Sequence, residues 1–260
     1  MSLEPDVTAR LPKVASQLIV YDFDWSLADQ DTDRWVHEVH APDLRRRIKE
    51  RDGTVQFTDL CAGLLRELHG RGITPDQIKD AMRVMPFHPA MRRGVLQSKV
   101  ASTPQTTFFL LSNSNSVYID TILQHQGLKE AFTEVVTNPA HFEENGLLNL
   151  SRRIPADAPA AQQHKCKVGC SPNMCKGEEL EAFLARHGGR SAFERIVYVG
   201  DGGNDYCPVL RLGPKDVALV RRYRGLEKRI EKEGGVEASI RFWAGAWEVE
   251  GLLKELRGEY

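Results

Sequence analysis

This sequence has no surplus of charge, no membrane-length apolar run, and too few cysteines, in an odd number, for a disulfide framework. Its 35 Lys and Arg nearly cancel its 36 Asp and Glu, leaving a net charge of -1. A balance of that kind offers no long-range attraction to nucleic acid or to an anionic membrane. No apolar stretch approaches the roughly 20 residues that span a bilayer. The opening "MSLEPDVTARLPKVASQ" lacks the basic-then-apolar pattern of a secretory signal. An intracellular, cytoplasmic protein is therefore expected, and the sequon at Asn149 has no consequence there. The five cysteines are expected to be reduced in that compartment. There is no internal repeat and no low-complexity tract, and nothing specifies an oligomeric state. What is present is ordinary globular material, 41% hydrophobic and 27% charged over 260 residues. That length suits one large domain, or a core domain with a smaller companion.

Short apolar runs rich in Val, Ile and Phe stand at 17–23, 107–112, 133–137, 195–200, 216–220 and 239–243. The first, second and fourth show little polar alternation, as strands buried on both faces of a parallel sheet do. Helical patterns lie between them. In "SVYIDTILQHQG", Ile119, Ile122 and Leu123 share a face and Gly127 ends the pattern. In "GEELEAFLARHGG", Leu180, Phe183 and Leu184 do the same before Gly188. This alternation predicts a doubly wound, Rossmann-like α/β core. From Asp33 to Lys99 no strand is evident. Phe57, Leu60, Cys61, Leu64, Leu65 and Leu68 recur at helical spacing, as do Ile78, Ala81, Met82 and Met85. The expected organisation is a core of residues 1–32 and 100–260 with a small helical cap, 33–99, inserted after the first strand. The stretch 138–175 is irregular; "NG" at 145–146 suggests a hairpin turn.

Ligands of open α/β sheets bind beyond the carboxyl ends of the strands. Asp22 and Asp24 follow the first strand, Ser112 and Asn113 the second, and Asp201 and Asp205 the fourth, within "GDGGND". Lys176 opens the helix before that fourth strand. Residues two apart in an extended segment face the same way, so Asp22 and Asp24 can share a pocket that Asp201 joins. Several carboxylates in one pocket repel unless a cation or proton intervenes. Hard oxygen ligands of this kind favour Mg²⁺, completed by waters and a substrate phosphate.

"DFDWS", "LLSN", Lys176 and "VGDGGND", in that order, resemble the four motifs of the haloacid dehalogenase superfamily of phosphotransferases. The resemblance implies an aspartyl-phosphate on Asp22 and a general acid and base at Asp24. It further implies phosphoryl contacts from Ser112, Asn113 and Lys176. Mg²⁺ would be held by Asp22, Asp201 and the main-chain carbonyl of Asp24, with Asp205 binding or positioning the metal shell. The longer pieces "CSPNMCK" and "YVGDGGNDYCPVLRL" are similar to the phosphoethanolamine and phosphocholine phosphatase group, which includes relatives active on pyridoxal 5′-phosphate and other small phosphomonoesters. That similarity runs from about residue 17 to 250 and implies a small helical cap. A small phosphorylated metabolite is the expected substrate, first of all phosphoethanolamine or phosphocholine. Pyridoxal 5′-phosphate, thiamine monophosphate and pyrophosphate are alternatives. A phosphomutase would carry the same four motifs; a non-catalytic binding module would have lost Asp22 or Asp24, and both are present.

Two positions depart from the group. Trp25 stands where a small, polar or charged residue is usual, and Asn113 where close relatives carry Asp. A carboxylate at 113 beside Asp33 would suit a cationic amine; here only Asp33 remains to contact such a head group. Asp33 also reads as an N-cap for the first cap helix. His164, Cys166, Cys170 and Cys175 form a candidate zinc site. Their C-x3-C-x4-C spacing is not the tight C-x2-C of common zinc knuckles, and the plainer reading is a set of reduced thiols positioning Lys176. His37 and His88 are read as ordinary cap or surface residues, and "RRYRGLEKRIEKEGG" as a solvated helix face.

Overall fold

The computed structural model describes residues 10–259. The stretch read for a secretory signal, and the start of the expected core, therefore lie outside the described residues up to residue 9.

The chain opens on β1 (Ser16–Tyr21). Five helices follow: α1 (Thr32–His40), α2 (Pro42–Glu50), α3 (Phe57–Gly70), α4 (Pro75–Arg83) and α5 (Pro89–Val100). Next come β2 (Gln105–Asn115), α6 (Ser116–Gln126), β3 (Glu134–Asn138) and the short strands β4 (Ala140–Phe142) and β5 (Leu148–Leu150). The second half runs α7 (Lys176–Arg186), β6 (Arg195–Gly200), α8 (Tyr206–Val209), β7 (Val217–Arg221), α9 (Gly225–Glu233), β8 (Ser239–Trp243) and α10 (Ala246–Leu256).

Six strands form one sheet in the order β3-β2-β1-β6-β7-β8, and every neighbouring pair is parallel. All six were read from their apolar runs. Burial on both faces is the reason: Ile19 and Tyr21 of β1 face one core, and Leu18 and Val20 the other. The chain builds outwards from β1 to β2 and β3, then returns to β1's other side to lay down β6, β7 and β8. That reversal between β1 and β6 is the switch point at which such sheets open a crevice.

The helical insertion is present, and it divides. Helix α5 belongs to the layer over the core sheet: Gly94 lies so close to α10 that a Cβ there would sit 2.7 Å from Leu253 Cδ1, and Arg93 pairs with Glu250 at 2.8 Å. Helices α1 to α4 form the outer unit, with the Trp35 Nε1–H of α1 donating to Ala81 O of α4 at 2.8 Å. The β4–β5 hairpin joins them from the far side of the sequence. It turns at Gly146, whose φ of +89° suits glycine, and Leu150 of β5 belongs to the same apolar cluster as Leu64 and Leu65 of α3.

Candidate active site

Strand β1 stops at Tyr21, and the next residues turn sharply. Asp22 N–H still donates to Val199 O of β6 at 2.9 Å, so the sheet holds its backbone in place. The turn over Phe23–Leu27 is closed by Leu27 N–H to Asp22 O at 3.2 Å and Ala28 N–H to Phe23 O at 2.9 Å. It requires Trp25 at φ +59°, a left-handed backbone that costs a bulky residue about 1–3 kcal/mol. Two arginines brace it. The Arg221 guanidinium lies 5.5 Å and the Arg224 guanidinium 4.0 Å from the centre of the indole, and Arg221 donates to Trp25 O at 2.5 Å. Trp25 is thus the hub of the turn that carries both aspartates.

Behind Asp22 lies a buried triad. Lys176 Nζ is 2.7 Å from Asp22 Oδ1 and 2.7 Å from Asp205 Oδ1. Burial alone would lower the lysine's pKa, but Asp205 and Asp22 outweigh it and hold the ammonium above its ordinary value. Asp205 also accepts from Tyr198 OH at 2.7 Å, from Gly202 N–H at 2.9 Å and from Asp201 N–H at 3.1 Å. With those donors satisfied it acts as the keystone of the loop after β6. Gly200 is needed for this: a Cβ there would lie 2.8 Å from the Asp205 carboxylate. Lys176 and Asp205 sit behind the cavity wall, whereas Asp22 and Asp201 are on it.

Asp24 faces the cap. Its carboxylate accepts from Thr32 N–H at 2.9 Å and Thr32 Oγ1–H at 3.3 Å, and Thr32 Oγ1 is 2.7 Å from Ser114 Oγ. The first residue of α1 therefore orients the carboxyl group. Burial, together with the negative charges of Asp31 and Asp33, holds Asp24 well above the ordinary carboxylate range. Such a group carries a proton at a pH where most aspartates have lost theirs.

The structure corrects the N-cap reading of Asp33. Asp31 is the cap of α1, accepting from Arg34 N–H at 3.0 Å. Asp33 lies inside the first turn on the cavity wall, and burial and Asp31 raise its pKa to about 8. The second strand is also longer than its apolar run. Ser112 and Asn113 lie within β2, where the register against β3 shifts between Leu111 and Asn115. A bulge of this kind redirects side chains beside a pocket. Both residues reach the cavity wall, and Asn113 Oδ1 accepts from Asn204 at 2.9 Å.

The cavity these residues share has a volume of about 660 Å³. The core contributes Asp22, Asp24, Ser112, Asn113 and Asp201. The cap contributes Asp33, Arg34, Arg51 and Phe57. Arg224 was absorbed in a run read as a solvated helix face; it lines the cavity instead. Oxygens of Asp22, Asp201 and Asp205 all lie within 4.8 Å of one another and all three residues are buried. Burial and the Asp205 charge push Asp201 up to about 7, against the pull of Lys176, Arg224 and Arg221. Three buried carboxylates around one ammonium leave excess negative charge, and hard oxygen donors in that state fit Mg²⁺.

The cysteine tract closes differently from its sequence reading. Sulfurs of Cys166, Cys170, Cys175 and Cys207 lie within 4.8 Å of one another. His164 is not in the group; its Nε2 is 3.0 Å from Ser171 O. Cys207, in α8 just after the Asp205 loop, takes the fourth corner, which proximity in sequence could not indicate. Its signal is the "NDYCP" within "YVGDGGNDYCPVLRL", a piece that carries the family similarity and Asp205 but gives its cysteine no role by itself. His37 is buried rather than surface, with Nδ1 2.8 Å from Asp33 O. His88 Nδ1 accepts from Ala90 N–H at 3.1 Å and caps α5.

The chain is similar to known proteins in sequence and in fold. A family model described as "Putative Phosphatase" matches residues 17–257. Inorganic pyrophosphatase 1 of Arabidopsis thaliana is 33% identical over 248 residues, 92% of this chain and 80% of the relative. Pyridoxal phosphate phosphatase PHOSPHO2 of Bos taurus is 30% identical over 246 residues, 92% of this chain and 98% of the relative. A haloacid dehalogenase family hydrolase from Salmonella enterica serovar Typhi shares the fold, with a TM-score of 0.60 at 16% identity, over 95% of this chain and 72% of that one. The chain belongs to this phosphatase family, within the haloacid dehalogenase superfamily.

Proposed function

We propose that the protein is a Mg²⁺-dependent phosphohydrolase that works through an aspartyl-phosphate on Asp22. The observation that carries the reading is the pairing of two carboxyl groups with different neighbours on one cavity. Burial raises the pKa of both; Lys176, 2.7 Å from Asp22, opposes that rise, whereas Asp24, two residues on, faces Asp31 and Asp33, which add to it. An Asp22 oxygen attacks phosphorus, the bond to the leaving oxygen breaks, and Asp24 gives that oxygen its proton. Water then attacks the phosphoryl group, Asp24 takes a proton from it, and Asp22 is released. Asp22 and Asp201 would hold the metal, with Asp205 orienting them; the ion supplies charge neutralisation for the phosphoryl oxygens. Ser112 and Asn113 line the phosphoryl side.

The substrate we favour is a small ester such as phosphoethanolamine or phosphocholine. Asp31 and Asp33 line the cavity with Asp24, and a cationic amine held there would favour their ionised forms. One observation favours a second reading, pyrophosphate. Arg224 lines the cavity close enough to pull the pKa of Asp201 down, and the side chain at 113 is neutral. The relatives named for pyrophosphate and for pyridoxal phosphate keep both classes in the test. Phosphate release is measured over a panel of amine-alcohol phosphates, pyridoxal 5′-phosphate, thiamine monophosphate and pyrophosphate, with Mg²⁺ and with EDTA. Release from one class, abolished by EDTA, is expected. Full turnover in EDTA, or isomerised product without free phosphate, would overturn the proposal.

A further inference from the structure

The two segments that carry Lys176 and Asp205 of the buried triad meet at the four cysteines. Cys175 immediately precedes Lys176, and Cys207 lies two residues after Asp205. Their sulfurs are 3.4 Å apart. Cys166 and Cys170 complete a closed ring of contacts. Cys166 is 3.5 Å from Cys207 and 3.6 Å from Cys170, and Cys170 is 3.6 Å from Cys175. All four thiols are free.

We propose that Cys166, Cys170, Cys175 and Cys207 hold a structural Zn²⁺ ion that staples the Lys176 loop to the Asp205 loop. Four sulfurs at about 2.3 Å from a central zinc stand about 3.8 Å apart at tetrahedral angles. The ring edges approach that spacing. Four thiols used merely as small apolar groups have no reason to converge on one point from two separate segments. Soft sulfur donors in a tetrahedral set select zinc over the Mg²⁺ that suits the carboxylates next door.

The surroundings fit a negatively charged tetrathiolate. Val168 N–H donates to Cys166 Sγ at 3.3 Å. Cys175 stands at the N-terminus of α7, the end of a helix that favours negative charge. Arg211 brings a cation: a Cβ built on Gly177 would sit 2.7 Å from Cys207 Sγ and 3.3 Å from Arg211 Nε. Glycine at 177 is what lets the helix start so close to Cys207. Arg229 braces the same loop from outside, donating to Gly203 O at 2.9 Å and also to Val168 O.

The ion touches no substrate. Its work is positional. Lys176 reaches Asp22 and Asp205 only if the two loops keep their separation, and the sulfur cluster fixes it at both ends. This inference stands apart from the substrate reading, because metal content is measured without turnover.

The test uses the purified full chain. After dialysis against metal-free buffer without chelator, elemental analysis is expected to find one zinc per chain. X-ray absorption at the zinc edge should show four sulfur neighbours at about 2.3 Å. Cys166→Ser and Cys207→Ser should lose the zinc and melt earlier, and His164→Ala should keep it. Where a cysteine variant fails to fold, absorption on the wild-type protein decides alone. Folded, zinc-free protein whose thiols all react at once would overturn the proposal. So would a disulfide among the four, iron in place of zinc, or a nitrogen neighbour lost in His164→Ala.

Discussion

Lys176 Nζ lies 2.7 Å from Asp22 Oδ1, with the two side chains only 1% and 7% exposed. A buried pair of this kind is sensitive to loss of one member, and the two members should respond differently. Lys176→Met strands Asp22 and Asp205 without a counter-charge. It should cost about 3–5 kcal/mol in urea unfolding, as breaking buried pairs does, and abolish phosphate release. Asp22→Asn leaves Lys176 paired with Asp205. It should cost turnover more than about 10³-fold, because an amide cannot form the acyl phosphate, while the melting temperature holds or rises. A variant Asp22→Asn with substantial activity would sink the assignment of the nucleophile.

Asp24 predicts a pH limb. Its pKa is raised by burial and by Asp31 and Asp33, so the acid form needed for leaving-group departure persists above the usual carboxylate range and disappears as pH rises through the folded-state value. The kcat of the wild type should therefore fall on the alkaline side wherever departure limits the rate. Asp24→Asn should lower kcat by about 10²–10⁴ and flatten that limb. An unchanged pH profile in the variant would assign the limb elsewhere.

Asn113 predicts a change in substrate ratio. Its Oδ1 accepts from Asn204 at 2.9 Å, and a carboxylate oxygen accepts there equally well, so Asn113→Asp should keep the fold. The new charge should raise kcat/KM for phosphoethanolamine relative to pyrophosphate by about 10-fold, the worth of one partly screened charge contact. Equal changes for both substrates would remove position 113 from discrimination.

Asp33 predicts a stability profile. Its folded pKa is about 8, against about 3.9 in the unfolded chain. Between those values the unfolded state has lost a proton that the folded state keeps, so this residue's stabilising contribution is full at low pH and drains away as pH rises to 8. Asp33→Asn removes the dependence. Relative to wild type, the variant should gain about 1 kcal/mol or more between pH 5 and pH 8, read from urea unfolding at each pH. A constant difference across that range would contradict the burial argument.

Trp25 predicts an inverted ranking of glycine and alanine. Alanine at this left-handed position keeps the strain and loses the stacking of Arg221 and Arg224. Glycine loses the stacking too but relieves the strain. Trp25→Gly should be more stable than Trp25→Ala by about 1 kcal/mol, the reverse of the order in a helix or strand. Denaturant midpoints of the two variants give the comparison.

Much of the site was legible because its chemistry is local. Asp22 and Asp24 sit two residues apart at a strand end, and a strand buried on both faces announces itself by unbroken hydrophobicity. Asp201 and Asp205 sit in a glycine-rich loop behind a second such strand. Lys176 stands at a helix start. Less legible were the positions whose meaning depends on a neighbour from elsewhere in the chain. The capping role passed from Asp33 to Asp31 because the helix begins two residues earlier than its apolar pattern. Helix α5 read as cap because nothing local distinguishes a face that packs on α4 from one that packs on α10.

By itself the sequence determined the order of strands and helices, the parallel sheet that follows from it, and the set of carboxylates at the sheet's carboxyl edge. Those depend on periodicity and on backbone geometry, which are properties of a few consecutive residues. Only the tertiary structure decided that Trp25 is clasped by Arg221 and Arg224, that Arg224 faces the cavity, and that Cys207 rather than His164 completes the sulfur cluster. Each of those joins segments far apart in the chain. Which segments meet is set by how the crossovers pack on the sheet, and no spacing within a single loop encodes it.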